Sequence, residues 1–276
     1  MAYKTIMLCI TEIDRLPQLT AAARKLALDN DAHVTGLYVI PGIQVYPNAG
    51  LAAVPDVYDG NRKYFLDNKA AVRSAFEEAM SKDGLSFGFQ EVDAATPLLS
   101  AAITNQCRAA DIVVVSAVNP DEAVGAEYDF VQRVVIAAGR PVLVLPRKGE
   151  ASLDYTEAMV GWDGGREAAR AAFDSVPLLR KAKRVKIARV DESQRGQMGG
   201  ADLAEGLARH KIKVEILNLS SDGLSAGETL LRACKDQGIG LLVMGAYGHS
   251  RFAEFVFGGA TRHVINSLNI PVLMSH

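Results

Sequence analysis

Three apolar segments in the first half of this chain return in the second half, in the same order. Lys4-Thr5-Ile6-Met7-Leu8-Cys9-Ile10-Thr11 corresponds to Thr156-Glu157-Ala158-Met159-Val160-Gly161-Trp162-Asp163, and an Ala-rich segment follows each. Ile112-Val113-Val114-Val115-Ser116-Ala117 corresponds to Leu241-Leu242-Val243-Met244-Gly245-Ala246. Arg140-Pro141-Val142-Leu143-Val144-Leu145 corresponds to Ile270-Pro271-Val272-Leu273-Met274. Such a repeat confines the chain to folds in which one unit occurs twice, and 276 residues is the length of two ordinary domains. The expected domains are 1–148 and 154–276, joined at the polar stretch Lys148-Gly149-Glu150-Ala151-Ser152. The offset between copies falls from 152 to 130, so the first copy holds a surplus of about 22 residues. The Pro/Gly/Asn-rich stretch Pro41 to Asn61 has no counterpart of its length, and it is read as a long loop.

Within each copy, short apolar runs alternate with longer Ala- and Leu-rich segments at helical spacing. That alternation predicts a parallel sheet covered by helices on both faces. In the second copy strands are expected at 157–162, 184–190, 213–218, 240–245 and 271–274, with helices near 165–180, 198–210, 225–237 and 259–268. The fold class is therefore α/β, with two tandem doubly wound sheets of five parallel strands each. A strand order of 3-2-1-4-5 would make the order reverse between the strands ending at Asp163 and at Gly245.

A net charge of −2 argues against a chain that binds nucleic acid over its whole surface, because phosphate affinity comes from clustered Lys and Arg. The basic run Arg180-Lys181-Ala182-Lys183-Arg184-Val185-Lys186 is read as a solvated helix end leading into a strand. Cys9, Cys107 and Cys234 have no paired spacing and read as reduced core thiols. No apolar run approaches membrane-spanning length, and the apolar strand after Lys4 is too short for a signal-peptide core; a cytoplasmic protein without membrane partners is expected.

The segment that carries chemistry is Gly245-Ala246-Tyr247-Gly248-His249-Ser250-Arg251, followed after nine residues from Gly248 by Gly258-Gly259-Ala260-Thr261. Glycines at the end of a strand let backbone N–H groups approach a polyphosphate, and the pair Gly258-Gly259 opens a helix whose N-terminus favours an anion. His249 and Arg251 follow the loop and are placed to meet phosphate oxygens; a solvent-exposed loop is the competing reading. Asp163 ends the first strand of the same copy, where a carboxylate can accept hydrogen bonds from ribose hydroxyls or an adenine amino group; its competing role is a helix N-cap.

With these residues in place, the chain resembles a tandem universal stress protein, and its second copy is similar to the ATP-binding members of that family. Their motif is G-x-x-G, nine residues, then G followed by Ser or Thr. Gly245, Gly248 and Gly258 match it, whereas Gly259 stands where the hydroxyl is expected, which implies weaker binding, by about 1 kcal/mol. The resemblance also implies that Asp163 is the family's aspartate and that Val190 lines the adenine pocket; as plain core, Val190 would need no ligand. It implies ATP as ligand, with Mg²⁺ or Mn²⁺ as a possible companion, a stress-response role, and pairing of the two copies within one chain through their final strands. A homodimer through other faces stays open.

The first copy departs from the pattern. Thr11 stands in the place of Asp163, Ser116-Ala117-Val118-Asn119 in the place of the glycine loop, and Asp121, Glu122, Glu127 and Asp129 follow without a Lys or Arg among residues 120–131. Charge and shape both read as a lost site. The sequence carries no G-x-S-x-G elbow, no Walker A motif and no H-E-x-x-H, and His276 and the other histidines lack metal-ligand spacing. A slow metal-dependent ATPase or nucleotide-transfer enzyme, and an interaction module with no nucleotide, remain the alternatives to a nucleotide-responsive binding protein.

Overall fold

The computed structural model describes residues 2–42, 55–118, 121, 125–149, 151–191, 199–248 and 259–276, with backbone only for 55–59. The chain forms two compact units, Tyr3–Ala138 and Gly139–His276.

In the amino-terminal unit the order is β1 (Thr5–Cys9), a 3-10 turn (Ile13–Arg15), α1 (Leu16–Asn30), β2 (His33–Ile40), α2 (Pro55–Ser81), β3 (Phe87–Asp93), α3 (Leu99–Cys107), β4 (Ile112–Ser116) and α4 (Phe130–Ala137). The strands lie in the order β3-β2-β1-β4, all parallel. Residues 6–9 of β1 and every residue of β4 are buried, as expected of strands covered by helices on both faces.

The carboxy-terminal unit contains β5 (Val142–Leu145), β6 (Glu157–Gly161), α5 (Arg166–Asp174), α6 (Val176–Leu179), β7 (Arg184–Val190), α7 (Gly200–Arg209), β8 (Val214–Leu219), α8 (Ala226–Asp236), β9 (Leu241–Gly245), α9 (Gly259–Ser267) and β10 (Val272–Ser275). Its sheet runs β5-β10-β9-β6-β7-β8. The five strands of the second repeat are parallel in the expected 3-2-1-4-5 order. The sixth, β5, is the last strand of the first repeat, and it pairs antiparallel with β10 through Leu143↔Leu273 and Val144↔Val272. The ten strands are the two expected sets of five, with β5, the fifth of the first repeat, lying in the carboxy-terminal compact unit. Burying the apolar run Val142-Leu143-Val144-Leu145 against β10 removes an edge that would otherwise be exposed.

Of the stretch expected as a long loop, Pro41 to Asn61, residues 43–54 lie outside the described residues and 55–61 belong to α2, which is 27 residues long against ten for α7. The single helix expected at 165–180 breaks at Ser175, whose N–H still reaches Ala171 O at 3.0 Å. Pro177 has no N–H to continue that ladder, so a new short helix starts there. Among the described residues no helix is long and apolar enough to cross a membrane.

Candidate functional site

In the carboxy-terminal unit β6 and β9 are parallel neighbours, with Gly161 opposite Met244. From β6 the chain crosses towards β7, and from β9 towards β10 on the other side, so the loops leaving these two strands diverge. That divergence opens a crevice at the carboxyl edge of the sheet. Asp163 lies on one wall, exposed, and one carboxylate oxygen accepts the Gly165 N–H at 2.8 Å. The N-cap of α5 is Gly165, with no side-chain cap, so Asp163 shapes the loop instead of capping the helix. Val190 ends β7 on the same edge and is half-buried.

Gly245, Ala246, Tyr247 and Gly248 form the other wall. A Cβ on Gly245 would lie 2.4 Å from Ala168 N and 2.6 Å from Glu167 C, so this glycine lets α5 pack onto the end of β9. A Cβ on Gly248 would lie 2.7 Å from Glu167 Oε2. The left-handed residue of the turn is Tyr247, with φ 59°, and not Gly248. The Tyr247 N–H donates to Thr261 Oγ1 at 3.3 Å. Thr261 falls outside the register of the glycine motif, and only the packing of α9 against the loop brings it there. His276 Nδ1 lies 2.9 Å from the Ala246 carbonyl oxygen, with its ring edge-on to Tyr247. Gly259 is the first residue of α9 and exposed, with nothing within 4 Å of the position a Cβ would take. His249, Arg251 and Gly258 lie outside the described residues.

Glu167 is the feature of this wall that sequence reasoning did not single out. Its side chain is only 7 % exposed, and Arg166 Nε donates to its Oε1 at 2.6 Å. Burial pushes its pKa up, but the Arg166 hydrogen bond, its own backbone N–H and the charges of Arg166 and His276 together hold it below the ordinary value. A helical position following Arg166 looks like a surface residue in sequence; the close approach that Gly245 permits is what buries it.

The model described as the universal stress protein family matches residues 166–276, from the start of α5 through β10. The match covers the carboxy-terminal segment of the chain. A universal stress protein of a Synechocystis strain is 27 % identical over 150 residues, which span 51 % of this chain and 49 % of that relative. The chain thus covers about half the length of the curated relative it matches. A universal stress protein from Archaeoglobus fulgidus superposes over 98 % of this chain and 95 % of its own, with a TM-score of 0.69 at 14 % identity. A functionally unknown protein from Pseudomonas aeruginosa covers 99 % of this chain and 92 % of its own, with a TM-score of 0.63, also at 14 % identity. At such identities the likeness is one of fold, and it extends over both units.

In the amino-terminal unit the equivalent edge is built differently. Thr11, beyond the end of β1, is 1 % exposed, and its Oγ1 has no hydrogen-bond partner among the described residues. Gly125, at φ 114°, is held by Asn61 of α2: Asn61 Nδ2 donates to Gly125 O at 3.2 Å, and Gly125 N–H donates to Asn61 Oδ1 at 2.8 Å. A Cβ on Gly125 would lie 3.3 Å from Glu12 Oε1 and 3.8 Å from Thr11 O, which puts this loop against the end of β1. Glu127 Oε2 accepts the Ser100 N–H of α3 at 3.3 Å, and Asp129 pairs with Arg133 at 2.7 Å. Glu122 lies outside the described residues.

All three cysteines are free and buried. Cys9 Sγ and Cys107 Sγ nevertheless approach to 3.9 Å, which their separation in sequence did not suggest. The hydrogen bond with Cys107, reinforced by burial, pushes the Cys9 thiol well up, and burial pushes Cys234 up to about 12. Both stay protonated and unreactive at neutral pH.

Proposed function

We propose that the carboxy-terminal unit, the part similar to universal stress proteins, binds an adenine nucleotide, ATP, in the crevice between Asp163 and the Gly245–Gly248 loop, and that the chain serves as a nucleotide-responsive module of a stress response. The observation that carries this reading is the convergence of those two loops at the carboxyl ends of β6 and β9, where the strand order reverses. The exposed Asp163 carboxylate suits ribose or adenine donors. The N-terminus of α9 at Gly259 suits phosphate, with no side chain of the described residues within 4 Å of a Cβ there. Mg²⁺ or Mn²⁺ would enter with the phosphates, since among the described residues no group of three His, Cys, Asp or Glu is arranged to hold a metal.

The amino-terminal unit lacks an aspartate at the equivalent place, and its own Gly125 loop lies against the end of β1. One nucleotide per chain is therefore expected. Calorimetric titration of the purified protein, together with mass spectrometry of nucleotide released on denaturation, tests this. Two equivalent sites would overturn the single-site reading, the absence of any nucleotide would overturn nucleotide binding itself, and stoichiometric ADP released from protein loaded with ATP would move the protein to the hydrolases.

A further inference from the structure

Glu167 is an ionic side chain in an unusual place. It follows the first residue of α5, where solvent is the ordinary surrounding, yet the packing of Gly245 against the backbone of residues 167 and 168 draws it beneath the loop. Its Oε2 then occupies the space that a side chain at position 248 would need, 2.7 Å from where that Cβ would stand. This carboxylate therefore lies against Gly248, in the loop proposed to line the crevice. Its counter-charge, Arg166, is held at 2.6 Å while its own side chain is 73 % exposed, so the cation stands at the surface and the anion behind the loop.

We propose that Glu167 and Arg166 form the charge selector of the nucleotide crevice, with the Glu167 carboxylate disfavouring each further phosphate charge and Arg166 offsetting it. The proposal rests on the nucleotide reading above and deepens it. Its physical basis is Coulombic. An anion packed against that loop and largely shielded from solvent acts on a polyphosphate bound there through less water than a surface carboxylate would. The interaction grows with ligand charge and leaves uncharged adenosine nearly untouched. The low pKa of Glu167 keeps the selector charged at neutral pH. Arg166 has two possible anionic partners, Glu167 or an arriving phosphate, so removing Glu167 both deletes a repulsion and frees a cation.

The test is a charge series, adenosine, AMP, ADP and ATP, titrated at low ionic strength against the full-length protein, Glu167→Gln and Arg166→Gln. Glu167→Gln preserves shape and is expected to raise the preference for ATP over adenosine on the order of tenfold, with AMP and ADP falling between. Arg166→Gln is expected to lower that preference by a similar factor. Because Arg166 is mostly exposed, this second variant folds even if the first does not. A preference that stays within about twofold of the parent in both variants, while adenosine still binds, overturns the selector and leaves the nucleotide reading standing. Failure of every ligand to bind, adenosine included, overturns both.

Discussion

At the scale of single residues, the glycines of the loop have different causes, which separate on substitution. Gly245 faces helix backbone at 2.4 Å, and backbone cannot swing aside. Gly245→Ala is expected to destabilise the protein by about 3 kcal/mol and to lower its melting temperature by several degrees, with or without nucleotide. Gly248 faces the tip of the Glu167 side chain, which can shift where backbone cannot, and sits outside the left-handed region, so a larger residue there costs the fold less than one at 245. Gly248→Val is expected to keep a near-parental melting temperature while abolishing nucleotide binding, read by the fluorescence of Trp162 next to Asp163. A melting temperature that falls as far as that of Gly245→Ala would show that position 248 is structural only. Gly259 has open space around it. Gly259→Ser therefore fits, restores the family's hydroxyl at the start of α9, and is expected to tighten ATP on the order of fivefold by calorimetry.

Helices at corresponding places in the two units begin by different means, and this sets a pH dependence. α8 has a capping box of its own: Glu228 N–H reaches Ser225 Oγ at 3.3 Å, and Ser225 N–H reaches Glu228 Oε2 at 2.8 Å. α3 has no side-chain cap at Leu98 and takes the Glu127 carboxylate from the segment before α4 instead. Burial pushes Glu127 up from its ordinary value of 4.5, and the backbone N–H groups of 127, 100 and 99 only partly oppose it. A folded pKa above the unfolded one means that the native state binds more protons in the interval between them. Stability from this group is therefore lost as pH rises through that window. Glu167 has the opposite sign: its pKa is lowered, so its contribution is present above the ordinary carboxylate range and is lost as pH falls. Urea unfolding from about pH 4 to 7 should show that Glu127→Gln removes a decline on the rising side, whereas Glu167→Gln removes a loss on the acid side.

At the scale of the whole molecule, the fifth strands of the two repeats meet within one compact unit, with Leu143 opposite Leu273 in an antiparallel pair. Cysteines replacing Leu143 and Leu273 are expected to bridge within a monomer under mild oxidation, as read by non-reducing electrophoresis. Bridges found only in dimers would show that the strand is exchanged between chains. The native thiols do not interfere, since all three are buried.

Much of this architecture was legible in the sequence, because strand and helix periods are local. The repeat, the five parallel strands of the second copy to within a residue or two, and the loops at its carboxyl edge all follow from apolar spacing and glycine placement. Offsets between copies located the surplus near Pro41–Asn61, but that its last residues, 55–61, join a helix depended on what α2 could pack against. Phe65, Val72, Phe76 and Met80 bury that helix. Asp163 and the glycines could be placed at one edge from strand order alone, since a parallel sheet puts all strand ends of one sense together. The packing of α5 on Gly245, the burial of Glu167 beside Gly248, the hydrogen bond from Tyr247 to Thr261, the hold of Asn61 on Gly125 and the approach of Cys9 to Cys107 were decided only by tertiary structure. Each joins residues far apart in the chain or turns a helix position inward, and no local propensity encodes which side chains meet once helices settle on a sheet.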